Sequence, residues 1–573
     1  MFPPQARENW RPILLLFLIC LLTRLPSLYT PIIDIDESIF AICGETIRQG
    51  GKLYLDCADH QPPGIYWMFG TIFSLFGANN MLAVHALTLL IVFFTALALW
   101  WILGGRAGFW SALFYVLFST THIPKYISTN IEIIANLPLV LAFGLVLQVR
   151  PKWMDLRHLL AGALAAVAVL LKYQVLILLG PVVLFLLMTP RRFFLLLTGG
   201  VLATGGAMLL LHWNGTLTAF YTETLVRGWN YATLGGATIS FWKNLVTRMG
   251  LTVGFFSWLW WFAGRGIVDG FRACPEWAAT GGRPYRPWII LLWLLGSFLA
   301  VLAGARFYPH YFILMLPPLC LLAGAPAAHF WRRSEAPPVT AEVIPGGTED
   351  LSDVAIGKSI FSRGSGGRGP ATGGSWRQWG EEFRRARKGL PLPLHSAYFL
   401  MLILWGVFFL LPRVNFQRSY QWFYQNHANL DAGTEPMLHE DVYRSVGEYI
   451  EQHSVPSDRI VVWGFSTPIY FFANRLSASR EIWSDDLTGR VPGSPRAWQA
   501  DFDTTPYIRP GSWQSFLQEL QQNRPLWFVD TATASLNYYG KYPIQKYPPL
   551  WEFLQAHYAP ELTISGVQLY RLK

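Results

Sequence analysis

A chain of 573 residues that is 52% hydrophobic, 16% aromatic and only 14% charged is too apolar for a water-soluble enzyme. Its repeated runs of about 20 apolar residues each suit helices that cross the roughly 30 Å hydrocarbon layer and are too long for the strands of a β-barrel, so the fold class is a polytopic α-helical membrane protein. The formal net charge of +10 is explained by basic residues gathered on one side of a membrane rather than by a nucleic-acid partner.

The first run, Ile13–Tyr29, follows Arg7 and Arg11. No small-residue cleavage site comes after it, so it reads as a retained helix rather than a cleaved signal. Further spans are expected at Leu82–Leu103, Phe109–Ile123, Ile133–Val149, His158–Leu171, Val175–Met188, Phe193–Leu211, Leu251–Gly264, Trp288–Leu302, Tyr311–Ala325 and Ser396–Leu411, about eleven in all. Alternation from a cytoplasmic N-terminus puts "GGRAG", "VRPKWMDLRH" and "TPRRF" inside, as the positive-inside bias requires. The loop 30–76, "THIPKYISTNIE", "RFYPH" and the C-terminal tail then face outward.

Residues 331–394 are rich in Gly, Ser, Pro and Arg and read as a disordered, basic cytoplasmic linker between the region 1–330 and a last span at 395–412. From 413 to 573 the composition turns soluble. "RIVVWG", "PLWFVD" and "VQLYRLK" have the pattern of strands, and "DVYRSVGEYIEQ" and "SWQSFLQELQQN" that of amphipathic helices, so an extracytoplasmic α/β domain is expected.

The loop after the first span opens with three carboxylates, Asp34, Asp36 and Glu37, before the amphipathic stretch "ESIFAICGETIRQG". Two readings stand. Asp at a helix start is a good N-cap, and a carboxylate poorly solvated at a membrane surface is a good general base. Other polar residues gather at the outward ends of separate spans: Asn130 and Glu132, then Lys172, then Arg306, His310 and Tyr311. Each has a plain explanation, such as snorkelling of Lys172 to the headgroups. Together they suit an anionic, phospholipid-like substrate whose phosphate meets cations while a carboxylate deprotonates a hydroxyl. Cys43 and Cys57 share the same outward loop and stand either as a disulfide or as two packed thiols.

At "DIDE", "DHQPPGIYW" and "RFYPHYFILMLPPL" the sequence resembles the GT-C glycosyltransferases that use polyprenyl-phosphate sugars, the family 39 group of protein O-mannosyltransferase-like and lipid A aminoarabinose transferase-like proteins. The resemblance covers most of residues 13–325 and part of the tail. It implies transfer of one sugar, with inversion, from a polyprenyl-phosphate carrier to a hydroxyl or phosphate of a protein, lipid or cell-envelope glycan, at the outer face of a bacterial inner membrane. By position, Asp36 is the implied base, Glu37 its neighbouring acid and Asp34 the rival base. Arg306 and His310 would hold the carrier phosphate with help from Lys172, while Asn130, Glu132 and Tyr311 support them. Many members carry Lys or His directly before the double proline; here that residue is Gln61, and His60 is expected to stand in. No cofactor is expected, and no divalent metal is expected to be needed, because the acidic and histidine residues lack a compact ligand spacing. A flippase of lipid-linked sugar and a non-catalytic cell-envelope assembly subunit are the competing readings; the clustering of polar residues at one face, without internal repeats, favours chemistry.

Overall fold

The computed structural model describes residues 10–120, 124–147, 155–186, 190–230, 241–272, 287–303, 306–335, 439–491 and 502–573. The expected linker beyond Glu335 and the expected span Ser396–Leu411 lie outside them.

Helix α1 (Arg11–Arg24) turns into a 3₁₀ segment, Leu25–Leu28, where Pro26 brings no backbone N–H. One side of α1 buries Leu16, Cys20 and Arg24, while Leu14, Leu18 and Leu22 stay exposed. Such an apolar face is unfavourable in water and at home among acyl chains. Helix α2 (Ile35–Arg48) is the amphipathic helix of the first loop. It packs on α3 (Gly64–Phe76), which starts directly after Pro62 and Pro63. Contact is close because Gly44 has no side chain: a Cβ there would lie 2.6 Å from Phe69 Cβ.

Helix α4 (Met81–Leu103) is capped by Asn80, whose Oδ1 accepts from the Ala83 N–H at 3.0 Å. It is followed by α5 (Gly105–Phe118), α6 (Ile131–Leu147), α7 (Asp155–Leu171), α8 (Val175–Leu186) and α9 (Pro190–Trp213). Helix α6 packs between α4 and α7, and α7 in turn lies against α9. There the glycines permit backbone contact, since a Cβ on Gly162 would fall 1.9 Å from the Leu196 carbonyl oxygen.

Two of the expected spans differ in detail. Instead of one helix at Leu251–Gly264 there are two, α10 (Phe241–Phe255) and α11 (Ser257–Arg272), broken at Phe256. Tertiary packing fixes the break: the Phe256 ring is held edge-on by Phe118 at 5.3 Å and Tyr126 at 5.7 Å. After α12 (Pro287–Leu302), the span expected at Tyr311–Ala325 begins as a 3₁₀ turn, Pro309–Met315, and continues as α13 (Leu316–Glu335). Pro317 and Pro318 have no N–H to close α-helical bonds onto that turn, which therefore winds more tightly.

Among the described residues, four helices are long and apolar enough to cross a membrane: Arg11–Leu28, Met81–Leu103, Pro190–Trp213 and Pro309–Ala328. Gly64–Phe76, Ile131–Leu147, Leu156–Leu171 and Trp288–Leu302 are shorter apolar helices. The chain is a membrane protein.

Beyond α14 (Glu440–Gln452), four strands between Ile460 and Leu572 form a sheet of order β1-β2-β4-β3. Strand β1 (Ile460–Trp463) runs parallel to β2 (Trp527–Asp530), and β3 (Tyr558–Ile564) and β4 (Val567–Leu572) make an antiparallel hairpin. Every residue of β1 and β2 is buried, as expected of a covered parallel pair. Helix α15 (Ser512–Asn523) precedes β2. Strand β1 leaves the sheet through Gly464 at φ +128°, where a Cβ would meet Thr531 Oγ1 at 2.0 Å. Hydrogen bonds join this sheet region to the first loop: Ser38 to Thr467 at 2.7 Å, and the Ala58 N–H to the Arg480 carbonyl at 2.9 Å.

Candidate active site

The three carboxylates of the first loop have three different surroundings. Asp34 is the N-cap of α2, accepting from the Asp36 N–H at 3.0 Å. Glu37 completes the capping box by accepting from the Ile33 N–H at 2.7 Å and the Asp34 N–H at 3.4 Å. Its other oxygen takes the Thr129 N–H at 2.6 Å and His85 Nε2 at 3.0 Å. Burial pushes the Glu37 carboxyl up, but His85 and the backbone N–H groups outweigh it and hold the group below the usual carboxylate range. Glu37 is 1% exposed and does not line the cavity described below; it fastens α2 to α4 and to the segment before α6.

Asp36 alone of the three lines that cavity. Its side chain is 36% exposed, and Lys125 Nζ stands 2.5 Å from its Oδ2. The dry environment expected for the base therefore belongs to Glu37, whereas Asp36 has both solvent and a cation. Lys125 also lies 2.6 Å from Asp34 Oδ1. The Lys125 segment is held by Arg24, whose Nη2 donates to the Ile127 carbonyl at 2.7 Å, and by Asn130, whose amide donates to the Lys125 carbonyl.

The cavity has a volume of about 630 Å³. Asn130, Glu132, Lys172, Arg306, His310 and Tyr311, assembled from three separate helix ends, all line it. Lys172 Nζ pairs with Glu132 at 2.8 Å and stands 4.6 Å from the centre of the Tyr311 ring, and His310 Nε2 is 3.9 Å from Glu132. Arg306 is 3% exposed. His60 and Gln61 also line the cavity and touch each other at 3.1 Å. Cys43 and Cys57 are joined in a disulfide with a Cα–Cα separation of 5.4 Å. That bond ties α2 to the strand-like segment leading into Asp59, His60 and Gln61.

Several cavity residues carry no mark in the sequence reading. Lys125 had a usable signal: it is a cation in a segment that charge alternation assigns to the side poor in basic residues. Asp59 receives the His60 N–H at 2.6 Å and His60 Nδ1 at 2.8 Å, along with the Tyr66 hydroxyl. Burial pushes it up, but His60 and these hydrogen bonds win and keep it below the usual range. Arg227, which follows a π-helical turn at Tyr221–Val226, pairs with Asp486 at 2.8 Å. Asp485, Asp486, Arg490 and Arg509 are brought in from the region after β1, where neither periodicity nor spacing signals a site.

No family model and no curated protein matches the chain. Among solved structures, it is similar to ArnT from Cupriavidus metallidurans bound to undecaprenyl phosphate, at 13% identity and a TM-score of 0.52, over 97% of both chains. At this identity the likeness is one of fold. Weaker likenesses join the chain to the Archaeoglobus fulgidus oligosaccharyltransferase in its apo form (11% identity, TM-score 0.48, 98% of this chain and 74% of that one). The archaeal oligosaccharyltransferase AglB from the same organism, in complex with an inhibitory peptide and a dolichol-phosphate, gives 12% identity and a TM-score of 0.42 over 99% of this chain and 75% of that one. Among the described residues, no group of three or more His, Cys, Asp or Glu side chains is arranged to hold a metal ion.

Proposed function

We propose that this GT-C-fold chain is an inverting glycosyltransferase that moves a single sugar from a polyprenyl-phosphate carrier to an acceptor. The observation that carries the reading is the cavity itself, in which the half-exposed carboxylate of Asp36 shares a volume of about 630 Å³ with Lys172, Arg306 and His310. The fold likeness to a transferase whose structure holds undecaprenyl phosphate supports the choice of carrier.

In the proposed step Asp36 takes the proton of the acceptor hydroxyl as the acceptor oxygen attacks the anomeric carbon from the face opposite the phosphate. The bond from the anomeric carbon to the phosphate oxygen breaks, its electron pair goes to the polyprenyl phosphate, and Arg306, Lys172 and His310 stabilise the charge that develops there. His60 lies beside them in place of the cation usual before the double proline. Asp34 stays the cap, Glu37 the anchor, and Lys125, 2.5 Å from Asp36 Oδ2, holds that carboxylate in place. Asn130 and Tyr311 orient this polar set. The acceptor belongs to a protein, a lipid or an envelope glycan, and the chemistry uses no cofactor and needs no divalent ion.

The same proposal sets about eleven spans in the bacterial inner membrane, with a C-terminal α/β domain and the cavity on the periplasmic side and the linker in the cytoplasm. The carrier's apolar chain then reaches the cavity laterally from the lipid.

The test is to incubate the purified protein with a radiolabelled polyprenyl-phosphate sugar and follow the label. Label should leave the lipid with the wild type and stay on it with Asp36→Asn, at equal protein level and without change on adding a strong chelator. Full transfer by Asp36→Asn removes the base, and label that crosses the bilayer still attached to lipid replaces the transferase with a flippase.

A further inference from the structure

In the four-residue stretch 535–538 after β2, three non-glycine residues hold left-handed backbone: Ser535 at φ 53°, Asn537 at φ 50° and Tyr538 at φ 65°. An aromatic residue in this region is an outlier, and such strain persists only where the surroundings over-determine it. Here they do. The Asn537 amide donates to the Tyr443 hydroxyl at 2.8 Å and to the Phe465 carbonyl at 2.5 Å, and Asn537 is 3% exposed.

The consequence is a division between neighbours. Tyr539 is fully buried, with its hydroxyl donating to Asp485 at 2.5 Å, while Tyr538 remains 38% exposed and lines the cavity. Trp483 and Tyr507 belong to the same wall. The wall also carries cations, but each is already engaged: Arg490 with Asp485 at 2.9 Å, Arg509 with Glu223 at 2.6 Å and Arg227 with Asp486 at 2.8 Å. A phosphorylated acceptor would need cations with charge to spare, whereas aromatic faces beside planar, mutually paired acids and guanidiniums match a neutral sugar ring. Its C–H face stacks on an aromatic ring, and its hydroxyls meet carboxylate and guanidinium edges.

We infer that the wall carrying Phe465, Trp483, Asp486, Tyr507 and Tyr538 is the acceptor subsite for a neutral glycan, with Tyr538 as the stacking platform and Asp486 as the hydroxyl acceptor. This rests on the transferase reading above and narrows its acceptor to a sugar.

The experiment uses the full chain in lipid nanodiscs and saturation-transfer NMR with three probe sets: neutral methyl glycosides and disaccharides, a Ser/Thr-containing peptide, and a phosphorylated disaccharide. Undecaprenyl phosphate binding is measured on the same samples. A neutral glycan should bind. Tyr538→Ala and Tyr538→Gly, the second of which relieves the backbone strain, should each weaken that binding by about threefold to tenfold, Tyr538→Phe should restore it, and none should alter undecaprenyl phosphate binding. The inference is overturned if no neutral glycan binds, if the peptide or the phosphorylated probe binds in its place, or if the Tyr538 variants bind glycan as the wild type does. Glycan binding without any undecaprenyl phosphate binding would leave the subsite standing and remove the donor reading.

Discussion

Lys125 Nζ lies 2.5 Å from Asp36 Oδ2 and 2.6 Å from Asp34 Oδ1, so one ammonium serves both the cavity carboxylate and the helix cap. The two aspartates, only two residues apart, are thereby separated in role. Asp36→Asn should abolish sugar release and leave the thermal midpoint close to wild type. Asp34→Asn should keep measurable transfer and lose about 1 kcal/mol of stability through the weakened cap. Lys125→Met should do both, lowering transfer at least about tenfold and also lowering the midpoint. Rates of label release and melting curves on the same preparations check all three, and a fully active Lys125→Met would remove Lys125 from the site.

Glu132 and Lys172 form a pair at 2.8 Å whose side chains are 1% and 4% exposed. Removing one partner leaves a buried charge, which costs about 3–5 kcal/mol, while replacing both is far milder. Glu132→Gln or Lys172→Met alone should therefore depress the melting temperature, and the double variant should recover much of it. If Lys172 also meets the carrier phosphate, the recovered double variant should still bind undecaprenyl phosphate more weakly than wild type. Wild-type affinity in that variant would confine the pair to a structural role.

Much of this was legible from the residues alone, and the reason differs by element. The apolar helices announce themselves because lipid demands long uninterrupted runs; Met81–Leu103 and Trp288–Leu302 fall within a residue of expectation. Strands Ile460–Trp463 and Trp527–Asp530 were readable from short β-branched and aromatic runs. The helix cap was legible in an aspartate at the helix start, but the part Glu37 plays in it and its exclusion from the cavity were not, since its placement depends on His85, 48 residues away. The acidic and basic residues after β1 were hidden for the same reason: Asp486 lines the cavity beside Arg227, 2.8 Å away but 259 positions distant in the sequence.

The Cys43–Cys57 disulfide closes a loop of 14 residues' separation between α2 and the segment holding Asp59 and His60. A loop of this size is worth about 3 kcal/mol. Cys43→Ser, or reduction of the intact protein, should lower the melting temperature by several degrees and slow transfer by loosening the His60 and Gln61 wall. Thiol labelling should find Cys43 and Cys57 protected until reductant is added. Labelling of either without reductant contradicts the bond.

Around Arg227 and Arg509, three carboxylates share two guanidiniums: Glu223 lies 2.6 Å from Arg509, Asp486 lies 2.8 Å from Arg227, and Glu481 lies 3.6 Å from each arginine. One carboxylate is surplus, and it is the buried and least closely paired Glu481. Burial raises this group, the arginines lower it, Asp486 raises it again, and the outcome is about 7. Asp530, buried at the end of β2, is likewise raised to about 6. A group raised on folding stabilises the fold below its unfolded value and loses that contribution as pH rises through its folded value. Stability should therefore fall between about pH 4.5 and pH 7, the window set by the unfolded carboxylate range and these two raised values. Asp59 and Glu37 act in the opposite sense as pH drops through and below about 4, and His439, which burial holds below the usual imidazole value, opposes the fall below about pH 6.5 and offsets part of it. Denaturant unfolding of the full chain, followed by tryptophan fluorescence at about pH 5 and about pH 7.5, should show the higher midpoint at the lower pH. Glu481→Gln should flatten that difference, because a neutral amide leaves two carboxylates to two guanidiniums at every pH. A pH difference in Glu481→Gln equal to that of the wild type would show that Glu481 is ionised throughout and that the third carboxylate is fully paired.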